Sequence, residues 1–239
     1  ITWHVVDLKI SHKYATEATK IIKWFESIYG TVRVSRGKVH DYLGMNLDYT
    51  DRGKVKISMV PFLKQVIEDF PEAITGSAAS PAAAHLFDVR DDGERKVIDE
   101  ERAWAFHHAV AQLLFATIRY RRDASTAVSF LCTRVREPDE DDWGKLKRLL
   151  KYIRGTLYLP LVLEIDNLRL ISWWVDASFA IHPDCKGHTG GMMSMGKGAI
   201  LAMSRKQKIN AKSSTEAEII GVDDVSTQII WGNYFIAAQ

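Results

Sequence analysis

The stretch "LISWWVDASFAI", residues 170–181, decides the fold of the second half of the chain, because it is a strand pattern containing a single charge. Successive side chains of a strand point to opposite faces, and here both sets are mainly apolar. One set is Ile171, Trp173, Val175 and Ala177, and the other is Leu170, Ser172, Trp174 and Asp176. A strand that is apolar on both faces is usually central and covered. Because a lone carboxylate is costly to bury, the pattern predicts Asp176 near the strand end, at the rim of the core.

Further strands and one long helix are predicted around this stretch. Strand patterns occur in "LVLEIDN" before it and in "TGGMMSMGKG" and "AILAMSRKQKI" after it, with Gly, Asp and Asn in the turns. The segment "SSTEAEIIGVDDVSTQIIWGNYF", residues 213–235, predicts a helix. Ser213 with Glu216, and Thr215 with Glu218, have the spacing of a capping box.

The helical spacing also selects one acidic residue of this segment. A predicted core stripe runs through Val222, Val225 and Ile229, and Glu218 precedes Val222 by four residues, on the same face. We therefore expect Glu218 to face the sheet. A strand carboxylate and a helix carboxylate at one rim can share a divalent cation. The alternative is ordinary capping: a turn cap for Asp176 and a helix-dipole or capping role for Glu218.

The first half predicts a strand, a hairpin and a set of helices. "ITWHVVDLKI" reads as strand and "ATEATKIIKWFESIYG" as helix ending at Gly30, followed by "HDYLGMNLDYT" and "KVKISMV", two strands joined by a turn at "DRG". "PFLKQVIEDFP" predicts a short helix. Residues 76–98 are small, polar and charged and predict a mobile connection. Helices are then predicted in residues 99–120, 124–137 and 139–155. The fold class is therefore α+β.

Composition sets broad limits on function. The chain has 239 residues, 46% hydrophobic and 26% charged, with a net charge of +2 that gives no strong nucleic-acid or membrane signal. It contains no apolar run long enough to span a membrane and no signal-peptide pattern, so an intracellular location in cytoplasm or nucleus is expected. Its two cysteines, Cys132 and Cys185, are expected to be reduced.

Several motifs in order resemble one family of proteins. "WWVDASFAIHPDCKGHTGGMMSMGKG" followed by "SRKQKINAKSSTEAEIIGVDD" resembles the ribonuclease H domain of copia-type retrotransposon polyproteins, whose signature is a strand aspartate, an "SxKQ" segment and "SSTEAE" opening a helix. "HDYLGMNLDY" resembles the primer-grip hairpin of the reverse transcriptase. "LLFATIRYRRDASTAV" and "LKRLLKYIRGT" resemble segments of the connecting region, and residues 1–10 resemble the strand-turn-strand that carries "YVDD".

The resemblance implies a domain organisation. Residues 1–75 would be the end of the reverse transcriptase palm, 76–98 a mobile connection and 99–160 the helical thumb and connecting region. Residues 161–239 would be a truncated ribonuclease H-like domain: a mixed sheet and one long helix without the C-terminal strands. The ancestral roles would be RNA-directed DNA synthesis and two-metal hydrolysis of RNA in RNA–DNA hybrids.

The resemblance also implies site residues, with two departures from the family. Asp176 and Glu218 would be ribonuclease H carboxylates binding Mg²⁺ or Mn²⁺, but weakly, because the later "DN" aspartate does not occur before Gln239. Asp7 matches the second aspartate of "YVDD", whereas Val6 replaces the first and offers no oxygen to a metal. We therefore expect polymerase and nuclease activity to be absent.

Two classes of function follow, a decayed polymerase fragment and a noncatalytic nucleic-acid-binding or scaffold module. The expected partner is an RNA–DNA hybrid. The bases that would contact phosphates are Arg205, Lys206, Lys208 and Lys212, and, on one helix face, Lys147, Lys151 and Arg154. Solvated surface is the alternative for both groups. His182, Cys185 and His188 are close in sequence, but a turn is favoured over a zinc site, which usually needs four ligands.

Overall fold

The computed structural model describes residues 1–91 and 93–238 as an α+β chain. In that part of the chain there are six α-helices, one 3-10 helix and three sheets, whose strand pairings are all antiparallel. The α+β class predicted from the sequence is therefore confirmed, whereas the mixed sheet implied for residues 161–239 is not present among the described residues. None of the described helices is long and apolar enough to cross a membrane.

The N-terminal residues form a small hairpin and an exposed helix. Strands β1 (Thr2–His4) and β2 (Asp7–Lys9) pair around Val5–Val6, as the strand-turn-strand reading predicts. Helix α1 (Ala15–Tyr29) follows and contains no buried residue. It ends at Gly30, as predicted, because Gly30 adopts a φ of +79° and its N–H donates to the Glu26 carbonyl at 3.0 Å.

A five-stranded sheet contains the predicted hairpin. Its order is β3 (Val39–Tyr42), β4 (Met45–Asp48), β5 (Lys54–Ser58), β6 (Leu161–Ile165) and β9 (Gly196–Lys197). The β4–β5 hairpin with a turn at residues 51–53 is confirmed, with Asp48 opposite Lys56. The single strand predicted over residues 40–50 is wrong, because Leu43 and Gly44 take φ values of +52° and +77° and reverse the chain.

This sheet crosses the predicted boundary at residue 161. Strand β6 pairs with β5, Val55 opposite Leu163, so the start of the second half extends the sheet of the first. The connection 76–98, in which residue 92 lies outside the described residues, contains no helix or strand. Leu86 and Ile98 of this connection are nevertheless buried in the core. The Lys145 ammonium donates a hydrogen bond to the Asp88 carbonyl at 2.5 Å. The mobility of this connection stays a prediction.

The main hydrophobic core lies among four helices and this sheet. The helices are α2 (Val60–Glu68), α3 (Glu100–Arg119), α4 (Ser125–Cys132) and α5 (Glu140–Gly155). They lie at the predicted positions, except that α4 ends at residue 132 rather than 137. Phe106, Leu146 and Leu149 are fully buried between them. Helix α5 begins with a capping box in which the side chains of Asp139 and Asp142 each accept a backbone N–H of the other residue.

The second half forms a three-stranded sheet covered by a long helix. Strands β7 (Ser172–Ser178), β8 (His188–Ser194) and β10 (Leu201–Lys206) are arranged β10–β8–β7, and helix α6 (Ser214–Ala237) packs on β7 and β8. Strand β7 is thus an edge strand of this sheet, so its predicted central position is wrong for the described residues. Trp174, on its outer face, is 52% exposed.

Candidate nucleic-acid interface and carboxylate pair

Helix α6 covers the face of β7 that carries Val175 and Ala177. A Cβ on Gly221 would lie 3.3 Å from the Ala177 Cβ and 3.6 Å from the Val175 Cγ1, so the absence of a side chain at Gly221 permits the close approach. Because neighbouring strand residues point to opposite faces, the Asp176 side chain lies on the face turned away from α6. Asp176 is exposed there, with Gly190 as its cross-strand neighbour on β8.

The inward stripe of α6 differs from the predicted one. Its buried residues are Ala217, Gly221, Val225 and Gly232. Val222 is 53% exposed, so the prediction that it belongs to the core stripe is wrong, although Val225 is correct. Three of these four residues are small, which lets helix and sheet approach closely, and Val225 is the branched member of the contact. Glu218 is exposed beside this stripe rather than buried at its top.

The start of α6 is capped as its sequence indicates. The Ser213 hydroxyl accepts the Glu216 N–H at 3.2 Å, which confirms Ser213 as the N-cap. The Glu216 carboxylate accepts the N–H of Lys212 at 2.7 Å, one residue before the position that a complete capping box would use. Thr215 lies inside the helix, so its alternative box with Glu218 does not form the N-terminus.

The described side chains do not assemble a metal site of the expected kind. Over residues 1–91 and 93–238, no three His, Cys, Asp or Glu side chains are placed so that they could hold a metal ion. Asp176 lies on the face of β7 opposite the one that α6 covers. The Asp176 side chain is therefore not on the side of the sheet that carries α6, and the roles of Asp176 and Glu218 as metal ligands stay predictions of the family resemblance.

Val6 and Asp7, at the positions that resemble the polymerase "YVDD" aspartates, are also exposed to solvent. Val6 is 85% exposed at the tip of the first hairpin, and Asp7 is exposed opposite His4 in the β1–β2 pair. The side chain that would have to hold a metal beside Asp7 is a hydrocarbon. The role of Asp7 as a polymerase remnant stays a prediction.

Gln207 is a structural residue that the sequence reasoning did not single out. Its side chain is 1% exposed, and its amide donates to the Thr189 hydroxyl at 3.1 Å and to the Ala217 carbonyl at 2.9 Å. The neighbouring Arg205 forms an ion pair with Asp224 of α6 at 2.7 Å. The "SxKQ" segment thereby fixes the N-terminal half of α6 to the sheet. The sequence signal for this structural role is a glutamine within a segment of basic residues.

The predicted phosphate-contacting bases of the second half divide into two pairs. Arg205 is bound to Asp224, and Lys206 forms an ion pair with Asp184 at 2.8 Å. Lys208 and Lys212 are exposed, and their ammonium groups contact no acidic partner among the described residues. Lys208 and Lys212, in the connection between β10 and α6, are therefore the bases free to meet a phosphate.

The bases of α5 also differ in their partners. Lys147 forms an ion pair with Glu72, and Arg154 donates to the Gly76 carbonyl at 2.8 Å. The hydrogen bond from Lys147 holds the pKa of Glu72 below its usual value. Lys151 is half-buried and has no ion-pair partner in the described part of the chain. The predicted basic face of α5 is thus partly neutralised.

His182, in the β7–β8 connection, and His188, at the start of β8, form a buried hydrogen-bonded pair. His182 Nε2 lies 3.1 Å from His188 Nδ1, and His188 Nε2 lies 2.7 Å from the Ser204 hydroxyl. Burial lowers the pKa of both imidazoles to about 4, so both are neutral at pH 7. Cys185 is exposed at a φ of +58° in the turn. The predicted turn is confirmed.

Comparison with known proteins places the chain among proteins of transposable elements. It is 28% identical over 206 residues to the retrovirus-related Pol polyprotein from transposon TNT 1-94 of Nicotiana tabacum, covering 84% of this chain and 15% of the relative. It is 35% identical over 112 residues to the Pol polyprotein from transposon RE2 of Arabidopsis thaliana, covering 46% of this chain and 8% of the relative. A putative transposon Ty5-1 protein of Saccharomyces cerevisiae is 24% identical over 197 residues, 81% of this chain and 62% of the relative.

The chain is thus a homologue of the retrovirus-related Pol polyproteins of copia-type transposons, and the resemblance seen in its motifs is confirmed. It spans only a small part of the two Pol polyproteins, 15% and 8% of their lengths. No protein-family model matches the chain, and no solved structure matches it.

Proposed function

We propose that this chain is a Pol-derived nucleic-acid-binding unit that holds an RNA–DNA hybrid without cleaving or extending it. The homology over 84% of the chain supports the polymerase origin. One observation carries the noncatalytic part: the described residues bring no three potential ligand side chains together. Two-metal hydrolysis of a phosphodiester needs carboxylates that hold both ions against the scissile phosphate.

Electrostatics support phosphate contact at the β10–α6 connection. Lys208 and Lys212 are exposed there, while Arg205 and Lys206 are held by acidic side chains and shape the segment. Lysines free of acidic partners release counterions from nucleic acid when they bind it, so affinity falls as salt rises. The chain as a whole is only slightly basic, so binding depends on this local surface.

Mg²⁺ or Mn²⁺ binding by Asp176 and Glu218 is proposed to be weak. The Asp176 carboxylate lies on the outer face of β7, and Glu218 is exposed on a helix that packs on the inner face. Hard cations bind tightly only where several oxygen ligands converge. Each carboxylate on its own therefore contributes little beyond a diffuse attraction for cations.

A binding and cleavage experiment tests the proposal. Fluorescence anisotropy with a labelled RNA–DNA hybrid, at several salt concentrations, measures affinity, and gel analysis with Mg²⁺ or Mn²⁺ measures cleavage. We expect salt-dependent binding and intact RNA. The double variant Lys208→Gln, Lys212→Gln should weaken binding and reduce the slope of log K against log salt by about 2. The matched control Lys23→Gln, on exposed α1, should leave both unchanged.

The outcomes separate the two classes of function. Cleavage that disappears in Asp176→Asn would restore the nuclease reading and contradict the noncatalytic proposal. Hybrid affinity that is equal in the wild type and the Lys208→Gln, Lys212→Gln variant would remove the proposed surface. On a primed RNA template we expect no nucleotide incorporation above a no-protein control, because Val6 replaces a metal-binding carboxylate.

A further inference from the structure

A cleft of about 660 Å³ lies between helix α5 and the segment that follows α2. One wall is the part of α5 that carries Lys147, Arg148 and Lys151, and residues 77–79 form another wall. Arg102 and Glu140 also line the cleft. The volume is in the range of small-molecule sites, about 300–1,000 Å³.

The wall at residues 77–79 is held firmly against α5. Arg154 donates to the Gly76 carbonyl at 2.8 Å, and Arg148 donates to the Ser80 hydroxyl at 3.1 Å. The chain also passes so close to Gly155 that a Cβ there would lie 2.8 Å from the Ser77 Cβ. Three contacts along five residues fix this wall, so the cleft is preformed rather than a gap beside a loose loop.

The cleft has more cations than carboxylates. Glu140 accepts two hydrogen bonds from Arg102, at 2.5 and 2.9 Å, and Glu72 is paired with Lys147. The carboxylates are thus already satisfied. Four cationic and two anionic side chains line the cleft, which leaves an excess charge of +2, that is 4 minus 2.

The excess positive charge of the cleft belongs to Arg148 and Lys151. The Lys151 ammonium has no hydrogen-bond or ion-pair partner among residues 1–91 and 93–238. The buried Nε of Arg148 has no acceptor within the same part of the chain, although Nη2 is bound to Ser80. A buried N–H without an acceptor is costly, by about 1–3 kcal/mol. Because this Nε is enclosed, a ligand oxygen reaches it only when the Arg148 side chain turns toward the cleft.

We propose that this cleft binds a phosphate-bearing ligand, with Lys151 and Arg148 as its principal contacts. Phosphate offers several acceptor oxygens and a charge that matches the excess, and guanidinium and ammonium groups are its usual partners. The phosphate belongs either to a free phosphate compound or to a nucleic-acid backbone. The cleft is lined by residues of α3, of α5 and of the segment that follows α2, and not by Lys208 or Lys212, so the inference goes beyond the hybrid-binding surface.

Isothermal titration at low salt tests this assignment in two arms, with inorganic pyrophosphate and with a 12-nucleotide single-stranded oligonucleotide. Lys151→Gln should raise the Kd about tenfold, the loss of one charge-assisted contact. Glu72→Gln should lower the Kd, because it raises the excess charge of the cleft to about +3 while keeping an acceptor for the Trp143 indole. Lys23→Gln is the matched control, and Lys151→Arg should retain binding.

The results distinguish the sources and the alternatives. Pyrophosphate binding that Lys151→Gln weakens supports a free phosphate ligand, and the same loss with the oligonucleotide alone supports a backbone phosphate. Failure of the wild type to bind either ligand overturns the proposal, as does an equal effect of Lys23→Gln. The two sites are separable, because Lys208→Gln, Lys212→Gln should leave pyrophosphate affinity unchanged even where it abolishes hybrid binding.

Discussion

Acidification should destabilise this protein through the buried pair His182 and His188. Both imidazoles are neutral at pH 7 because burial lowers each pKa from 6.5 to about 4. Phe87 and Phe130 pack against His182, with ring centroids 5.1 and 6.5 Å away, and shield it from water without offering a carboxylate. The positive charge of Lys206 lowers the pKa of His182 further, and the negative charge of Asp184 opposes this effect.

The sign and size of the effect follow from proton linkage. Below pH 6.5 the unfolded chain protonates these histidines while the folded chain does not, so stability is complete above pH 6.5 and falls as pH approaches 4. A shift from 6.5 to about 4 corresponds to a loss of about 2–3 kcal/mol per histidine between pH 7 and pH 4.5. Repulsion between the two protonated rings separates their titrations, so the combined loss lies between about 2 and 5 kcal/mol.

Urea unfolding at pH 7.0, 6.0, 5.0 and 4.5 measures this dependence. Carboxylates also titrate near the lowest of these pH values. The decisive quantity is therefore the difference in stability loss between the wild type and the double variant His182→Gln, His188→Gln. The variant cannot protonate at these positions, and amides at both positions can still hydrogen-bond to each other and to Ser204. We expect its free energy of unfolding to fall by at least about 2 kcal/mol less than that of the wild type.

An exposed histidine supplies the control. His107→Gln, on the solvent side of α3, should follow the wild-type pH dependence. If the double variant and the wild type lose the same stability between pH 7.0 and 4.5, the two imidazoles are not buried as neutral groups and the reasoning fails. A steeper loss in the double variant would contradict it equally.

Four substitutions test other parts of the fold by urea unfolding at pH 7. Asp123→Asn should lower the free energy of unfolding by about 3 kcal/mol, because it leaves the Arg121 guanidinium, which is 1% exposed, without its carboxylate partner. A loss under about 1 kcal/mol would contradict the Arg121–Asp123 ion pair. Gly191→Ala should cost about 1–3 kcal/mol, since a Cβ there would lie 2.7 Å from a Val225 methyl, whereas Gly144→Ala, with open space around its Cβ, should stabilise α5 by up to about 1 kcal/mol. Asp176→Asn should change stability by less than about 0.5 kcal/mol, because the side chain is exposed; a larger loss would make Asp176 a structural cap.

Local patterns were sufficient to predict the helices and the hairpin of the first half. The acidic first turn of α5 and the glycine after α1 specify where those helices begin and end, because capping and backbone conformation depend on neighbouring residues alone. The turn at residues 51–53 likewise fixed the β4–β5 register. The reversal at Leu43–Gly44 was missed, because the alternation of side chains continues through a two-residue turn.

Sequence motifs also determined the kinship of the chain with copia-type Pol polyproteins, because several independent segments occur in the same order. They did not determine whether Asp176 and Glu218 meet. That depends on which face of β7 the helix covers, and alternation in a strand that is apolar on both faces cannot choose between them. The structure places Gly221 against Val175 and Ala177, which leaves Asp176 on the other face.

Only the tertiary structure decided which charges are free and which are bound. Seven bases read alike in the sequence as phosphate contacts, yet the fold pairs Arg205, Lys206 and Lys147 with acids distant in the chain and leaves Lys208, Lys212 and Lys151 without acidic partners among the described residues. Ion pairing acts over a few ångströms in space, so sequence separation carries no information about it. The same reason explains why the α5 cleft and the buried His182–His188 pair emerge only when helices and strands pack together.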